Sequence, residues 1–366
     1  MPRLSQENGK VHINDLLKLA LEKSASDLHL KARRPPVLRV NGQLVVQQDL
    51  PELTPDSITQ AFVDITTEEQ RELFARDLEL DFSLSISGLG RFRVNACIQR
   101  GTANLSLRIV SNVIPDLDEL MLPELCKALA LKQHGLVLIT GPTGSGKSTT
   151  LAAMIDHLNN TDSRRVVTIE DPIEYLHQDK KCFISQRELG SDTKSFSAAL
   201  RHALRQDPNV ILVGEMRDLD TIATVLTAAE TGHLVLTTLH TPSAAEAIDR
   251  IIDAFPPHQQ NQARMQLSTT LQAVIYQTLL PNANGSGRVP AVEVMIATDA
   301  IKNLIREGKT PQMLSVMQTG ARYGMQTLDR SLIDLCRRGL ISRDEAIIRC
   351  RDPETARKDI AAFGAY

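Results

Sequence analysis

Nine consecutive residues carry the most legible chemistry in this chain: Gly141, Pro142, Thr143, Gly144, Ser145, Gly146, Lys147, Ser148 and Thr149. The stretch 141–148 fills the pattern GxxxxGK[ST]. Its glycines let backbone N–H groups turn inward around a phosphate chain. A helix expected over residues 149–158 directs its positive N-terminus at the same anion. The motif assigns Lys147 to the β- and γ-phosphates and Ser148 to Mg²⁺. The expected ligands are ATP and Mg²⁺, with residues 141–149 as the nucleotide-binding set.

Hydrolysis also needs acidic groups near the metal and the water. Val210, Ile211, Leu212 and Val213 read as a buried strand that runs through Gly214 to Glu215. Ligands of such sheets sit at the carboxyl ends of the strands, so Glu215 is expected to face the phosphates and hold Mg²⁺ or its water. Gly214 stands where many P-loop enzymes carry the acid, which makes this version atypical. Glu170, Asp171 and Glu174, three acids in five residues, follow another apolar run. One of them could lie against the attacking water, with Pro172 fixing the turn; the residues by themselves fit a plain acidic loop equally well. His233 and His240 bracket a further strand pattern. They are seven residues apart, so in an extended strand they point to opposite faces and cannot share a metal. His240, at the carboxyl end, could sense the γ-phosphate, although a hydrogen-bonded core histidine is the simpler reading of a lone imidazole.

Two kinds of element position these groups. Residues 11–110 read as a small α/β unit. Apolar spacing predicts a helix over 13–21, and alternation predicts a strand at 26–30. Asn41-Gly42 marks a hairpin within 37–46. Helices open at Thr54-Pro55-Asp56 and at Thr67-Glu68-Glu69. Residues 82–109 look like antiparallel strands. Residues 111–119 have no period and contain Pro115, the pattern of a linker. From residue 120 a helix pattern over 123–131 leads into short apolar runs at 135–140, 165–169, 209–214 and 233–240. Continuous apolar runs alternating with helices indicate a mainly parallel sheet covered on both faces. After Pro290 the pattern is mostly helical. The expected division is 1–110, a linker at 111–119, an ATPase core at 120–290 and a helical region at 291–366.

Bulk composition narrows the class. The 366 residues are 42% hydrophobic and 23% charged, ordinary for globular domains. The net charge of −3, an aromatic content of 3% and the absence of tryptophan argue against a nucleic-acid motor, which needs phosphate contacts and stacking platforms. No apolar run approaches the ~18 residues that span a bilayer, and the polar stretch 1–10 lacks a signal core; a cytoplasmic protein is expected. Cys97, Cys126, Cys182, Cys336 and Cys350 form no CxxC pair, so packing thiols are expected rather than a zinc site or disulfides.

The phosphate turn, the acidic loop, the 210–215 strand and the 233–240 strand, in this order, resemble the Walker A, Asp box, atypical Walker B and His box of the secretion-superfamily ATPases. The nearest resemblance is to PilT-type retraction motors of bacterial type IV pili. It extends over nearly the whole chain through Ala25-Ser26-Asp27-Leu28-His29-Leu30, Gly90-Arg91-Phe92-Arg93-Val94-Asn95, Gly214-Glu215-Met216-Arg217-Asp218 and Thr227-Ala228-Ala229-Glu230-Thr231-Gly232-His233. Ala300-Ile301-Lys302-Asn303-Leu304-Ile305-Arg306-Glu307 matches the PilT stretch AIRNLIRE except for Lys302. Its residues form an amphipathic helix, with Ile301, Leu304 and Ile305 apolar and Lys302, Arg306 and Lys309 basic.

The resemblance implies a PAS-like α/β N-terminal domain, a RecA-like ATPase domain with a helical C-terminal extension, and a homo-hexameric ring. It implies nucleotide between the two domains, with arginines reaching it from the first. The candidates are Arg93 and Arg108, then Arg91. It implies that Glu174 is the general base, that Glu215 holds Mg²⁺ or its water, and that His240 reads the γ-phosphate, with His233 supporting. It implies a motor at the cytoplasmic face of the inner membrane. There it would drive a platform protein, alongside a paralogous retraction ATPase, with no nucleic-acid partner. Pilus-assembly and type II secretion ATPases are the alternative within the superfamily, but they usually carry a four-cysteine zinc module. A RecA-like nucleic-acid motor is the alternative from another class.

Overall fold

A computed structural model describes residues 12–285 and 287–363. The polar stretch 1–10 therefore lies outside the described residues. The chain divides into two compact units. One runs through Val113 and takes in Glu174–Leu176; the other comprises Ile114–Ile173 and the chain from His177 onward.

The first unit contains α1 (Ile13–Glu22), β1 (Asp27–Lys31), β2 (Val37–Val40), β3 (Gln43–Val46), α2 (Pro55–Ile65), α3 (Glu68–Asp77), β4 (Glu79–Ile86), β5 (Gly90–Gln99) and β6 (Thr102–Ile109). Its strands form one antiparallel sheet in the order β3-β2-β1-β6-β5-β4. Thr54 caps α2 and a Thr67/Gln70 capping box starts α3, as the turn residues predict. Period two in β1, β5 and β6 sends Leu28, Leu30, Phe92, Val94, Leu105 and Leu107 into the core. Ile13, Leu16 and Leu17 of α1 and Ile58 and Phe62 of α2 complete that core. The alternate residues of the same strands are left for polar groups.

The second unit contains α4 (Leu125–Ala130), β7 (Gly135–Thr140), α5 (Lys147–Thr161), β8 (Arg165–Glu170), β9 (Phe183–Glu188), α6 (Phe196–Ala203), β10 (Val210–Val213), α7 (Leu219–Glu230), β11 (Leu234–Leu239), α8 (Ala244–Asp253), α9 (Pro257–Thr270), β12 (Leu271–Pro281) and β13 (Arg288–Ile296). It ends in α10 (Asp299–Glu307), α11 (Met313–Thr319), α12 (Leu328–Arg337), α13 (Arg343–Arg349) and α14 (Pro353–Phe363). The sheet order is β13-β12-β7-β11-β10-β8-β9, parallel except for β13. Every residue of β7, β10 and β11 is buried. That explains their unbroken apolar runs, since helices cover both faces of the sheet.

The fold departs from the sequence reading in three places. The chain after Pro290 is not helical at once. Pro290 lies inside β13 and pairs with Leu279, and the helices begin only at Asp299. A proline is tolerated there because β13 is an edge strand and needs no N–H on its open side. The strands β9 and β12 were not anticipated either, although Val274, Ile275, Tyr276 and Thr278 are good strand formers. Finally, α5 starts at Lys147 rather than Thr149. Among the described residues no helix is long and apolar enough to cross a membrane. All five cysteines are free; burial pushes the Cys126 and Cys350 thiols up to about 12.

Candidate active site

The phosphate turn occupies the six residues between the end of β7 and Lys147, the first residue of α5. Ser148 and Thr149 follow in the first turn of the helix, at the end that carries its partial positive charge. Gly141 has φ +141° and a Cβ there would lie 2.1 Å from the Gln277 carbonyl oxygen, so only glycine fits. Gln277, from β12, braces the turn at both ends. Its Nε2 donates to the Ser145 carbonyl at 2.8 Å and its Oε1 accepts from Thr150 Oγ1 at 2.8 Å. Lys147 is buried, and its Nζ donates to the Gly141 and Pro142 carbonyls at 2.9 and 3.0 Å. The Ser145 hydroxyl is buried with no hydrogen-bond partner. An orphaned polar atom in a turn of this shape fits a phosphate oxygen.

The carboxyl ends of β10 and β11 lie on the same edge of the parallel sheet as this turn. Gly214 is locked there by its N–H to the Ile169 carbonyl (2.8 Å) and by Thr238 Oγ1 donating to its own carbonyl (2.6 Å). Glu215 follows, with its side chain 14% exposed. Its carboxylate contacts the Arg217 guanidinium, and its Oε2 lies 3.4 Å from His240 Nε2. Arg217 also lies 3.8 Å from Asp171. Burial, then the positive charges of Lys147 and Arg217, push the His240 pKa below its ordinary value. The imidazole is therefore neutral near pH 7 and offers one N–H donor and one acceptor. A cleft of ≈ 580 Å³ opens beside Glu215, Arg217 and His240, with Glu246, Asp249 and Asp253 of α8 among its other lining residues. His233 sits at the amino end of β11, the opposite end from His240, with Nδ1 3.0 Å from the Ala228 carbonyl.

The acidic loop after β8 is shaped by hydrogen bonds its sequence does not announce. Glu170 accepts from Thr168 Oγ1 at 2.6 Å and from Gln186 Nε2 at 3.2 Å. The Asp171–Pro172 bond is cis. The N–H of Ile173 donates to Oε2 of the buried Glu188 at 2.9 Å, which anchors the chain directly before Glu174. Glu174–Leu176 belongs to the first unit. Leu176 N–H donates to the Ser111 carbonyl at 3.2 Å, and Glu174 Oε1 lies 3.7 Å from Arg93 Nη1.

Arg93 and Arg108 face each other across β5 and β6. Like charges directly opposite destabilise a sheet, and two carboxylates offset the pair. Glu174 lies beside Arg93, and Asp27, opposite Arg108 on β1, accepts from Arg108 Nε at 2.9 Å. Arg39, opposite Asp27 on β2, reaches it at 3.7 Å. Burial raises the Asp27 pKa, but hydrogen bonds from Ser26 and Arg108 outweigh it and hold the carboxyl below the usual range. Arg91 instead donates to Ser85 at 3.0 Å.

The anticipated residues thus fall into two groups. Lys147, Ser148, Glu215 and His240 lie at the carboxyl edge of the second unit's sheet, and Arg93, Arg108 and Glu174 come together in the first unit. Gln277, Arg217, Glu188 and Asp27 were not singled out from the sequence. Arg217 and Asp27 stood inside quoted motifs. Glu188 and Gln277 carry no local signal, because their partners are far away along the chain. Among the described residues no cluster of three or more His, Cys, Asp or Glu side chains could hold a metal.

His177, next to Glu174–Leu176, gives the chain an acid-sensitive point. Burial pushes its pKa down to about 4, and its Nδ1 has no hydrogen-bond partner. Below the unfolded value near 6.5 the unfolded chain takes up a proton that the folded chain refuses. Stability therefore falls as pH drops from about 6.5 to about 4, by up to about 3 kcal/mol. Denaturant unfolding of His177→Gln should show a shallower loss over that window; an unchanged pH slope would contradict the assignment.

A parallel sheet that delivers a GxxxxGK[ST] turn into a helix, with an acid and a neutral histidine at the carboxyl ends of nearby strands, defines a P-loop nucleotide-binding site. The Type II/IV secretion system protein family matches residues 6–348, and the chain belongs to that family. It is 52% identical over 342 residues to the type IV pilus retraction ATPase PilT of Pseudomonas aeruginosa, covering 93% of this chain and 99% of that one. It is 42% identical over 332 residues to the type IV pilus ATPase PilU of the same organism, covering 91% and 87% respectively. A crystal structure of the pilus retraction motor PilT with bound ADP matches with a TM-score of 0.88 at 46% identity, covering 95% of this chain and all of that one.

Proposed function

We propose that this chain hydrolyses ATP to power type IV pilus retraction, as one subunit of a six-membered ring at the cytoplasmic face of the inner membrane. The observation that carries this reading is its match over 99% of the length of a PilT retraction ATPase, in a chain whose phosphate turn is braced and whose lysine is in place. The higher identity to PilT than to PilU favours the main motor over the accessory paralogue. A platform protein in the membrane is the proposed load, with a paralogous retraction ATPase as a further partner. In domain terms we assign 1–110 to an N-terminal domain, 111–119 to a linker and the remainder to the ATPase domain, whose helical extension starts after Ile296.

The site roles follow from this reading. Backbone N–H groups of residues 141–149 and Lys147 bind the phosphates. Ser148 and Glu215 are both oxygen donors, the kind a hard cation prefers, and would hold Mg²⁺ here. When bound, Mg²⁺ would supply charge neutralisation for the phosphates. Glu174 takes the proton of the attacking water. Neutral His240 donates to the γ-phosphate and loses that partner after hydrolysis, which makes it a sensor of nucleotide state. Arg93 and Arg108 stabilise charge developing on the transferred phosphoryl group.

In α10, Ile301, Leu304 and Ile305 are buried, while Asn303 and Arg306 are exposed. That face is the proposed retraction element. Lys302 keeps the charge of an arginine but not its two-pronged geometry. Imaging of pilus retraction in cells lacking this gene and any paralogue should show extended pili that do not retract. The wild-type chain and Lys302→Arg should both restore retraction. Normal retraction in the deletion strain would remove the proposal.

A further inference from the structure

Arg217 is exposed over 65% of its side chain, while the Glu215 carboxylate it contacts is only 14% exposed. A solvent-facing cation therefore covers a largely buried acid. The other neighbour of that acid is His240, with Nε2 3.4 Å from Glu215 Oε2. The same guanidinium lies 3.8 Å from Asp171, the first residue of the loop that presents Glu174. Arg217 thus has two carboxylates within reach, one proposed as a metal ligand and one at the head of the catalytic loop.

We propose that Arg217 is a positioning residue that competes with Mg²⁺ for the Glu215 carboxylate: it holds the acid, releases it to the metal, and then pairs with Asp171. The inference rests on the reading of Glu215 as the acid that holds Mg²⁺. A guanidinium–carboxylate pair that is half open to solvent is worth ~1 kcal/mol, a small barrier to exchange. A compact divalent cation attracts one carboxylate more strongly than a delocalised monovalent one does. Transfer of Arg217 to Asp171 would give the loop before Glu174 a second anchor, beside the Ile173–Glu188 hydrogen bond. Metal arrival and placement of the base would then be linked through one side chain.

The test is direct binding of Mn²⁺ to the full chain in the presence of ADP, followed by electron paramagnetic resonance, so the readout does not depend on turnover. Arg217→Gln should tighten Mn²⁺ binding roughly fivefold, the equivalent of ~1 kcal/mol. Asp171→Asn should weaken it, because the released arginine has lost its second carboxylate. In the Arg217→Gln background, Asp171→Asn should add little. Arg217→Lys keeps the charge but not the fork, and should fall between wild type and Arg217→Gln. If Arg217→Lys binds Mn²⁺ as the wild type does while Arg217→Gln binds more tightly, the effect is through-space charge and the proposal fails. It also fails if Arg217→Gln weakens binding or leaves it unchanged. Glu215→Gln separates the two readings: unchanged Mn²⁺ affinity there would overturn the metal role of Glu215 itself.

Discussion

Lys147→Ala is expected to lower ATP turnover by roughly 10²–10⁴-fold, the loss of one or two charge-assisted hydrogen bonds to phosphate. The fold should survive. Lys147 donates to the Gly141 and Pro142 carbonyls of its own turn, and the turn is braced independently by Gln277. Nucleotide binding, followed with a fluorescent ATP analogue, should weaken along with turnover, because an ammonium in the proposed role would contact the phosphates in the ground state as well. Near-normal turnover in the folded protein would mean that the turn is not the phosphate site. Cells carrying Lys147→Ala should retract no pili, matching the deletion strain.

Arg93→Ala is expected to cut kcat by about 10³-fold, the lower end of what an arginine on developing phosphoryl charge supplies. It is a cleaner probe than Arg108→Ala. Arg108 is the 2.9 Å partner of the buried Asp27, so its removal also exposes that carboxylate to desolvation cost and should destabilise the first unit. Arg93 lies at a looser 3.7 Å from a half-exposed Glu174, and its loss should leave thermal stability nearly unchanged. Arg93→Lys should rescue only partly, since it restores charge without the fork. Because Arg93 and Glu174 form one ion pair, Arg93→Ala and Glu174→Gln together should cost less than the sum of the two. Near-normal ATPase rates in Arg93→Ala would remove this residue from the site.

Much of this was legible along the chain, for identifiable reasons. The GxxxxGK[ST] turn is read locally because its function is local: consecutive N–H groups around one anion need consecutive residues of particular types. The buried strands β7, β8, β10 and β11 announced themselves because burial on both faces demands unbroken apolar runs. The hairpin at Asn41-Gly42 and the caps at Thr54 and Thr67 followed from backbone chemistry that acts over two to four residues. Where such local rules met tertiary context they failed. The chain after Pro290 was expected to be mostly helical, yet Pro290 lies within a strand, which tolerates it because that strand is at an edge.

By itself, the sequence determined the nucleotide chemistry, the class of fold and the identity of the acids, arginines and histidine worth testing, since each depends on residue type and short spacing. Only the tertiary structure decided how those residues are held. Gln277, 136 residues beyond Gly141, closes the phosphate turn. Glu188 anchors the loop before Glu174, Asp27 orients Arg108, and Arg217 shares itself between Glu215 and Asp171. Each of those contacts joins strands or loops whose proximity is set by the register of a sheet. No local pattern encodes it, because the energy that fixes the register comes from the whole buried face and not from the residues that meet across it.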